Sequence, residues 1–459
     1  MKKIIASLFV AAMMLAEANA VTVSGVKAQQ RYPWNNLVDV DFTLTAPAGE
    51  AYRVELQAKQ LSSGKVFTAN SYASDPVAKS GSNRVTWDFG ADYPDFKASD
   101  MSFAVAVAPY SDSATPLYVV IDLSAGPDAT KYPIRYVTHA PEHVQGATNE
   151  KCQTTELWLR RVRKTVQPEL FFGFTEPTDT TKGQYWGEIT HDYYIGVFEV
   201  TQEQYARVTG EYPSYFARED CRASRPVENL VYRTQITGTQ RNVRLYPETI
   251  TADSFLGKLR AKTGLPINVP TMAESHWAAR GALVGFPEVG KEYYWYYVKD
   301  GDGYRQTSLD EIARYSGNRG TYTDQANSED GYRSRNTVDD ASVATAPVGS
   351  YLPNALGLYD MIGNVKEYTA ECADGWDGHV ASYFAQKFRS GNAENAKLGM
   401  KKENPLRDYC GYDVNHLYQV VYGSGFREGD SLWNVYISES GYWCALRECG
   451  IRLMFAVGE

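Results

Sequence analysis

From about residue 155 to Glu459 the chain carries almost no helical periodicity, and this limits its fold more than any other feature. Stretches rich in Gly, Asn, Asp and Tyr stand where amphipathic helices would need recurring apolar positions. Such a chain has to build its core from short strands and from loops tied by side-chain hydrogen bonds, not from stacked helices. The 34 Tyr and 9 Trp suit that task, because each joins an apolar ring to a polar edge. Their plainest use is to fill a loop-rich core, with binding surface as the alternative. Two helices stand out against this background. One is expected over 252–260, stopped by Gly264 and Pro266. The other follows Pro270, where Thr271 can cap the free amides while Glu274 reaches back, and Gly281 stands where a helix end favours positive φ.

Residues 21–124 have a different texture. Leu37–Leu44 and Tyr52–Ala58 alternate apolar and polar on either side of the turn Ala46-Pro47-Ala48-Gly49. Further strands are expected at Arg84–Phe89, Met101–Ala108 and Leu117–Leu123. The spacing predicts a small all-β sandwich of immunoglobulin-like size. It holds no catalytic constellation and reads as an accessory domain. Residues 125–154 read as a linker, and 155–459 as the main domain.

The first twenty residues carry Lys2 and Lys3, the apolar run Ile4–Leu15 and the small-x-small triplet Ala18-Asn19-Ala20, which together predict a signal peptide over 1–20. That run is shorter than the roughly 20 residues a membrane helix needs, and no other segment is long and apolar enough. A secreted or periplasmic protein without a transmembrane segment is expected. The chain has 46 basic and 55 acidic residues, net −9; without Lys2, Lys3 and Glu17 the balance is 44 to 54, net −10. An acidic surface argues against nucleic acid and anionic membrane as partners.

Five segments carry a family resemblance. They are Asp192 to Tyr205 with Glu199-Val200-Thr201 inside it, Arg225-Pro226-Val227-Glu228-Asn229, and Asn268 to Glu274 followed by Ala278-Ala279-Arg280-Gly281. The most specific is Ala346 to Tyr368, which contains Asp360-Met361-Ile362-Gly363-Asn364-Val365-Lys366-Glu367. The last comprises Tyr422-Gly423-Ser424-Gly425-Phe426 and Gly450-Ile451-Arg452-Leu453. In this order, across roughly 155–457, they resemble the formylglycine-generating enzyme, or sulfatase-modifying factor, family. The resemblance implies an α+β, C-type-lectin-like fold with little regular secondary structure.

Residue chemistry adds a metal expectation. Asp360, Gly363, Val365 and Glu367 lie in a Gly- and Asn-rich loop, and two carboxylates with two backbone carbonyls form the hard oxygen set that Ca²⁺ prefers. The alternative is that Asp360 and Glu367 only cap turns. The resemblance places a calcium loop at these positions and a second calcium site at Asp330 and Tyr332, with partners near Asn318 and Arg319. Calcium in either place would be structural.

The resemblance further implies, for the family's enzymes, two cysteines with four residues between them that bind copper(I) and use O₂ to oxidise a substrate cysteine to formylglycine. Counting from Ser424 or Gly425 to the matching positions reaches Trp433 or Asn434, then Ser438 or Glu439. None offers a thiolate, so copper is not expected. Cys444 and Cys449 repeat the spacing but abut the final strand, and they remain the candidates for displaced chemistry. A disulfide, between them or with Cys372 or Cys410, suits an oxidising compartment better. The six histidines are scattered, with Pro141 between His139 and His143. The expected function is a non-catalytic module binding a peptide, glycan or cell-surface partner on calcium-stabilised loops. A copper-dependent oxidase of sulfatase maturation and a structural surface or assembly protein are the alternatives.

Overall fold

Period-2 alternation builds the first of two units, Met1–Pro116. The computed structural model describes residues 21–31, 36–110, 116–138, 150–172, 184–217, 222–238, 250–283, 297–300, 303–318, 344–373, 405–408, 418–423, 425, 436–438 and 447–457. The signal-peptide expectation for 1–20 lies outside them. Strands of the first unit are β1 (Thr22–Gln30), β2 (Leu37–Thr45), β3 (Ala51–Gln60), β4 (Val66–Thr68), β5 (Ser71–Tyr72), β6 (Val77–Lys79), β7 (Gly81–Asp88) and β8 (Met101–Pro109). One helical turn, α1 (Phe89–Asp92), follows β7. An antiparallel sheet runs β1-β2-β7-β5, and a second runs β4-β3-β6 with β8 also paired to β3. Val40, Phe42 and Leu44 of the first sheet and Tyr52, Val54, Leu56 and Ala58 of the second are buried, as their alternation requires. The indole of Trp87 on β7 meets Phe103 on β8 edge-on, with centroids 6.3 Å apart, so the two buried faces share one core.

The second unit, Leu117–Glu459, opens with β9 (Tyr118–Asp122) and β10 (Ile134–Val137). There follow α2 (Glu150–Thr154), β11 (Glu156–Val162), β12 (Glu169–Phe172), β13 (Gln184–Glu188), β14 (Tyr193–Gly196), α3 (Gln202–Thr209), α4 (Phe255–Thr263) and α5 (Met272–Ala279). Then come β15 (Tyr297–Asp300), β16 (Gly303–Gln306), α6 (Leu309–Ile312), β17 (Lys366–Ala373), β18 (Leu406–Arg407), β19 (Tyr418–Tyr422), β20 (Tyr436–Ser438), β21 (Cys449–Gly450) and β22 (Met454–Ala456). The central sheet runs β10-β9-β11-β14-β22 with every pair antiparallel. A second runs β20-β19-β17-β21, β17 and β21 being parallel, and smaller sheets are β12-β13-β18 and β15-β16. The architecture is mixed α/β, mostly sheet with few and short helices.

Both faces of the central sheet are covered. Tyr118, Val120, Trp158, Tyr193 and Ile195 point to one cluster with Trp277 of α5 and Leu358 to Ile362. Val119, Ile121, Leu157, Leu159 and Tyr194 point to the other, with α3, α4, Tyr368, Cys449 and Ile451. This double burial explains one departure from the sequence expectation. Leu117–Leu123 reads as the last sandwich strand, yet its residues 118–122 pair with β10 and β11 of the second unit. A strand buried on both faces shows a continuous apolar run, here Tyr-Val-Val-Ile, and carries no alternation to tell it from its neighbours. Likewise the stretch expected as linker supplies β10, the fully buried Tyr132 and the buried Cys152.

Helix ends follow side-chain chemistry. Ser254 caps α4 by accepting from Gly257 N, so the helix starts three residues after Ala252, and Gly264 closes it at φ +73°. Thr271 and Glu274 form the expected capping box on α5, and Gly281 sits at φ +76°. A second box, Thr201 with Gln204, opens α3.

Candidate functional site

The segment from Leu358 to Glu367 lies in the core, not on the surface. Asp360 takes φ +52° and Asn364 φ +58°, and Gly363 at φ +81° passes so close to Arg314 that an added Cβ would lie 2.5 Å from its carbonyl oxygen. This backbone is held by side chains from distant segments. Asp360 Oδ2 accepts from Gly349 N at 2.7 Å. Glu199 accepts from Asn364 Nδ2 at 2.7 Å and from Val365 N at 3.1 Å. Asn364 also bridges to Ala346, accepting from its N–H at 2.8 Å.

Arg452 fills the centre of the group. Its Nε donates to Glu367 Oε1 at 2.7 Å, its Nη1 to Gly196 O at 2.9 Å, and its Nη2 to the carbonyls of Tyr359 and Asp360 at 2.9 and 3.1 Å. Arg452 and Glu199 are 0% exposed, Asp360 3% and Glu367 2%. Three carboxylates thus surround one guanidinium. Burial, then the charges of Asp360 and Glu367, push the Glu199 carboxyl well above its usual range. Burial pushes Asp360 up to about 6, opposed by the Gly349 amide and Arg452. It also raises Glu367, opposed mainly by Arg452. Asp360 Oδ1 and Glu367 Oε2 are buried without a hydrogen-bond partner.

The residues expected as calcium ligands thus run from the loop at Asp360 into β17 at Glu367, and both carboxylates have commitments to protein donors. Of the second expected set, Asp330, Tyr332 and Arg319 lie outside the described residues. Asn318 is in a turn, where its Oδ1 accepts from Tyr315 N, its Nδ2 donates to Ala313 O and its own carbonyl accepts from Arg314. Among the described residues no three His, Cys, Asp or Glu side chains converge as metal ligands.

The cysteine expectation needs correction. No disulfide forms among the described residues: Cys152 and Cys449 are buried thiols. Cys449 begins β21 at 0% exposure, packed in the second cluster. Cys444 lies outside the described residues. Two further buried groups carry perturbed acidity. Glu371 on β17, 1% exposed, accepts from Met272 N at 2.8 Å, and burial pushes it up to about 8. His276 on α5 is pushed down to about 3 by burial and by Arg280, so it is held neutral.

Sequence reasoning identified Glu199 and Arg452 as landmarks without a role. A signal for both was present: each is a lone charge inside an apolar run, Val197-Phe198-Glu199-Val200 and Ile451-Arg452-Leu453. A buried charge in such a run requires a partner.

Comparison with known families matches residues 179–428 to the sulfatase-modifying factor enzyme 1-like domain. Among curated proteins, Chaperone protein LppX of Paenibacillus barcinonensis is 31% identical over 204 residues, covering 41% of this chain and 64% of the relative. The match thus spans just under two thirds of that relative's length. Among solved structures, Treponema denticola variable protein 1 aligns with TM-score 0.39 and 17% identity over 66% of this chain and 95% of its own. CarF aligns with TM-score 0.35 and 16% identity over 65% and 98%. No helix among the described residues is long and apolar enough to cross a membrane.

Proposed function

The chain belongs to the family of sulfatase-modifying factor enzyme 1-like domains, and on that premise we propose that it is an exported, non-catalytic member that binds a polypeptide partner on loops pinned by calcium. The burial of Cys449 is the observation that carries the non-catalytic part. A copper(I) pair needs two thiolates open to substrate and O₂, whereas this thiol is 0% exposed within an apolar cluster. The positions matching the family's cysteines hold Trp433 or Asn434 and Ser438 or Glu439. A C-type-lectin-like arrangement belongs to the same reading, supported by short helices, long loops and the pairing of β14 with the C-terminal β22.

Calcium fits the charge balance of the Asp360 loop. Of the three buried carboxyl groups around one guanidinium, Glu199 is pushed towards its neutral form, while Asp360 Oδ1 and Glu367 Oε2 lack hydrogen-bond partners. Bound there, calcium would take hard oxygens from Asp360 and Glu367 and from the carbonyls of Gly363 and Val365, and would neutralise the surplus negative charge. The chain's own residues fix that loop: Arg452 orients Glu367, and Glu199 holds Asn364 and Val365. A polypeptide is favoured over a glycan as partner because the matched relative is named a chaperone protein.

Each part has its own test. Incubating the protein with copper, O₂ and a Cys-x-Pro-x-Arg peptide is expected to leave the peptide mass unchanged; an aldehyde product would restore the oxidase. Calcium is expected to raise the unfolding temperature over a chelator control, with magnesium ineffective, as binding to the native state alone requires. Identical melting in all three overturns the calcium assignment. Suppressed aggregation of an unfolding client protein is expected of a polypeptide binder, and unaltered aggregation counts against one.

A further inference from the structure

His191 stands between two carboxylates. Its Nε2 lies 2.9 Å from Glu274 Oε1, and its Nδ1 lies 3.3 Å from Asp408 Oδ1. A neutral imidazole has one N–H and one lone pair, so it satisfies one of these oxygens and turns its lone pair on the other. Only the imidazolium is attracted to both, through a hydrogen bond from Nε2 to Glu274 and a close ion pair between the Nδ1 edge and Asp408. The two carboxylates sit at opposite edges of the ring, which is the geometry of a bridge and not of a chelate.

The three residues come from three separate segments. His191 lies between β13 and β14, Glu274 in the first turn of α5, and Asp408 directly after β18. Glu274 cannot easily turn away, because its Oε2 accepts from Thr271 N at 2.7 Å in the capping box. Asp408 is held at φ +42°; its Oδ1 accepts from Thr190 N at 2.7 Å, its Oδ2 from the Thr190 hydroxyl, and its N–H donates to Glu188 O at 2.8 Å. The strand it ends, β18, is two residues long and pairs with β13 only at Gly187–Leu406 and Glu188–Arg407. We infer that His191 is a proton-dependent clamp that fastens β18 to α5, and that the loss of its proton releases this strand end.

Among the described residues, two carboxylates favour the charged ring. Glu274 faces it from α5 and Asp408 from the end of β18. From β14, Tyr193 sets its ring 6.2 Å away and donates its hydroxyl to Glu274 O. Behind them lie Glu371, held as the neutral acid by burial, and the Arg280 guanidinium, which acts on Tyr193. Among the described residues, Asp192 is directed to Lys164 N and Arg161, and Arg407 to Glu188. Since the clamped state holds the proton more tightly than the unfolded chain, the stability it adds is fully present below the unfolded histidine value. It is lost as pH rises through the folded one.

Nuclear magnetic resonance titration of the His191 ring in the full chain tests this. The expected midpoint lies above the ordinary histidine value of about 6.5. Asp408→Asn is expected to lower it by about one unit, since one charge partner is removed from a partly exposed site. Amide protection at 406–408 should fall by about tenfold from about pH 6 to about pH 8.5 in the native chain. It should be flat in Asp408→Asn and, independently, in His191→Gln. A midpoint at or below the ordinary value, one unmoved by Asp408→Asn, or protection in the native chain that ignores pH would each overturn the clamp.

Discussion

Replacing Glu371 by Gln is expected to stabilise the protein, by an amount that depends on pH. The side chain is 1% exposed on β17, where Met272 N donates to its Oε1 at 2.8 Å and the Thr369 side chain also hydrogen-bonds to it. Burial first, and then the charge of Glu274, push its carboxyl from 4.5 up to about 8. Near neutrality the folded protein therefore keeps Glu371 protonated, whereas the unfolded chain ionises it. Folding must then take up a proton. At about 1.4 kcal/mol per unit, this costs about 3 kcal/mol at pH 7 and about 5 kcal/mol above pH 8. A carboxyl raised in this way leaves stability intact below the unfolded value of 4.5 and erodes it as pH climbs towards 8. Gln is neutral throughout and keeps the acceptor for Met272 N. Guanidinium unfolding of both proteins at several pH values should give similar stability near pH 4.5 and a gain of about 3 kcal/mol for the variant at pH 7. If the two stability curves run parallel across that range, or if the variant is the weaker at pH 7, Glu371 is not held as the acid and the reasoning fails.

Four other substitutions probe the framework. Arg452→Met removes the guanidinium from three buried carboxylates and is expected to cost about 3–5 kcal/mol in urea unfolding. Adding Glu367→Gln to it should recover part of that loss, because one uncompensated charge goes too. Gly363→Ala puts a Cβ 2.5 Å from Arg314 O at φ +81°, so a loss of about 1–3 kcal/mol is expected in the same assay. Thr201→Ala removes the α3 cap on Gln204 N and a 2.6 Å bond to Gln153 O, with an expected loss of about 1–2 kcal/mol by thermal unfolding.

Local chemistry was legible in the sequence wherever one residue dictates its neighbours' conformation. The Thr271–Glu274 box and Gly264 and Gly281 at positive φ could be read because a cap acts within one turn. Strands β2 and β3 could be read because one face of each is buried and the period is two. What could not be read was partnership over distance. The 118–122 strand carries no mark that assigns it to β11 rather than to the sandwich, since a strand covered on both faces has no polar side. At Cys449 compartment logic in the sequence pointed to a disulfide, whereas the structure buries this cysteine in the second cluster with no disulfide among the described residues.

The Asp360 loop shows how far a sequence can reach towards a buried site. Asp360 and Glu367 drew attention as hard oxygen donors in a glycine-rich loop, and that local chemistry is real. Their main partner, Arg452, is 85 residues beyond Glu367 in the chain, and Glu199 is 165 residues before Asn364. Each lies in an apolar run that fixes its burial, and burial without compensation would cost several kcal/mol. The need for a partner is therefore written locally at both positions, while the partner's identity is written only in the topology. β14 and β22 are adjacent in the central sheet, and β21 runs parallel to β17; together they carry Arg452 to Glu367. Lone charges within apolar runs, here Glu199 and Arg452, are thus the sequence signal for buried ionic partnership, and the strand pairing supplies Glu367 as the partner of Arg452.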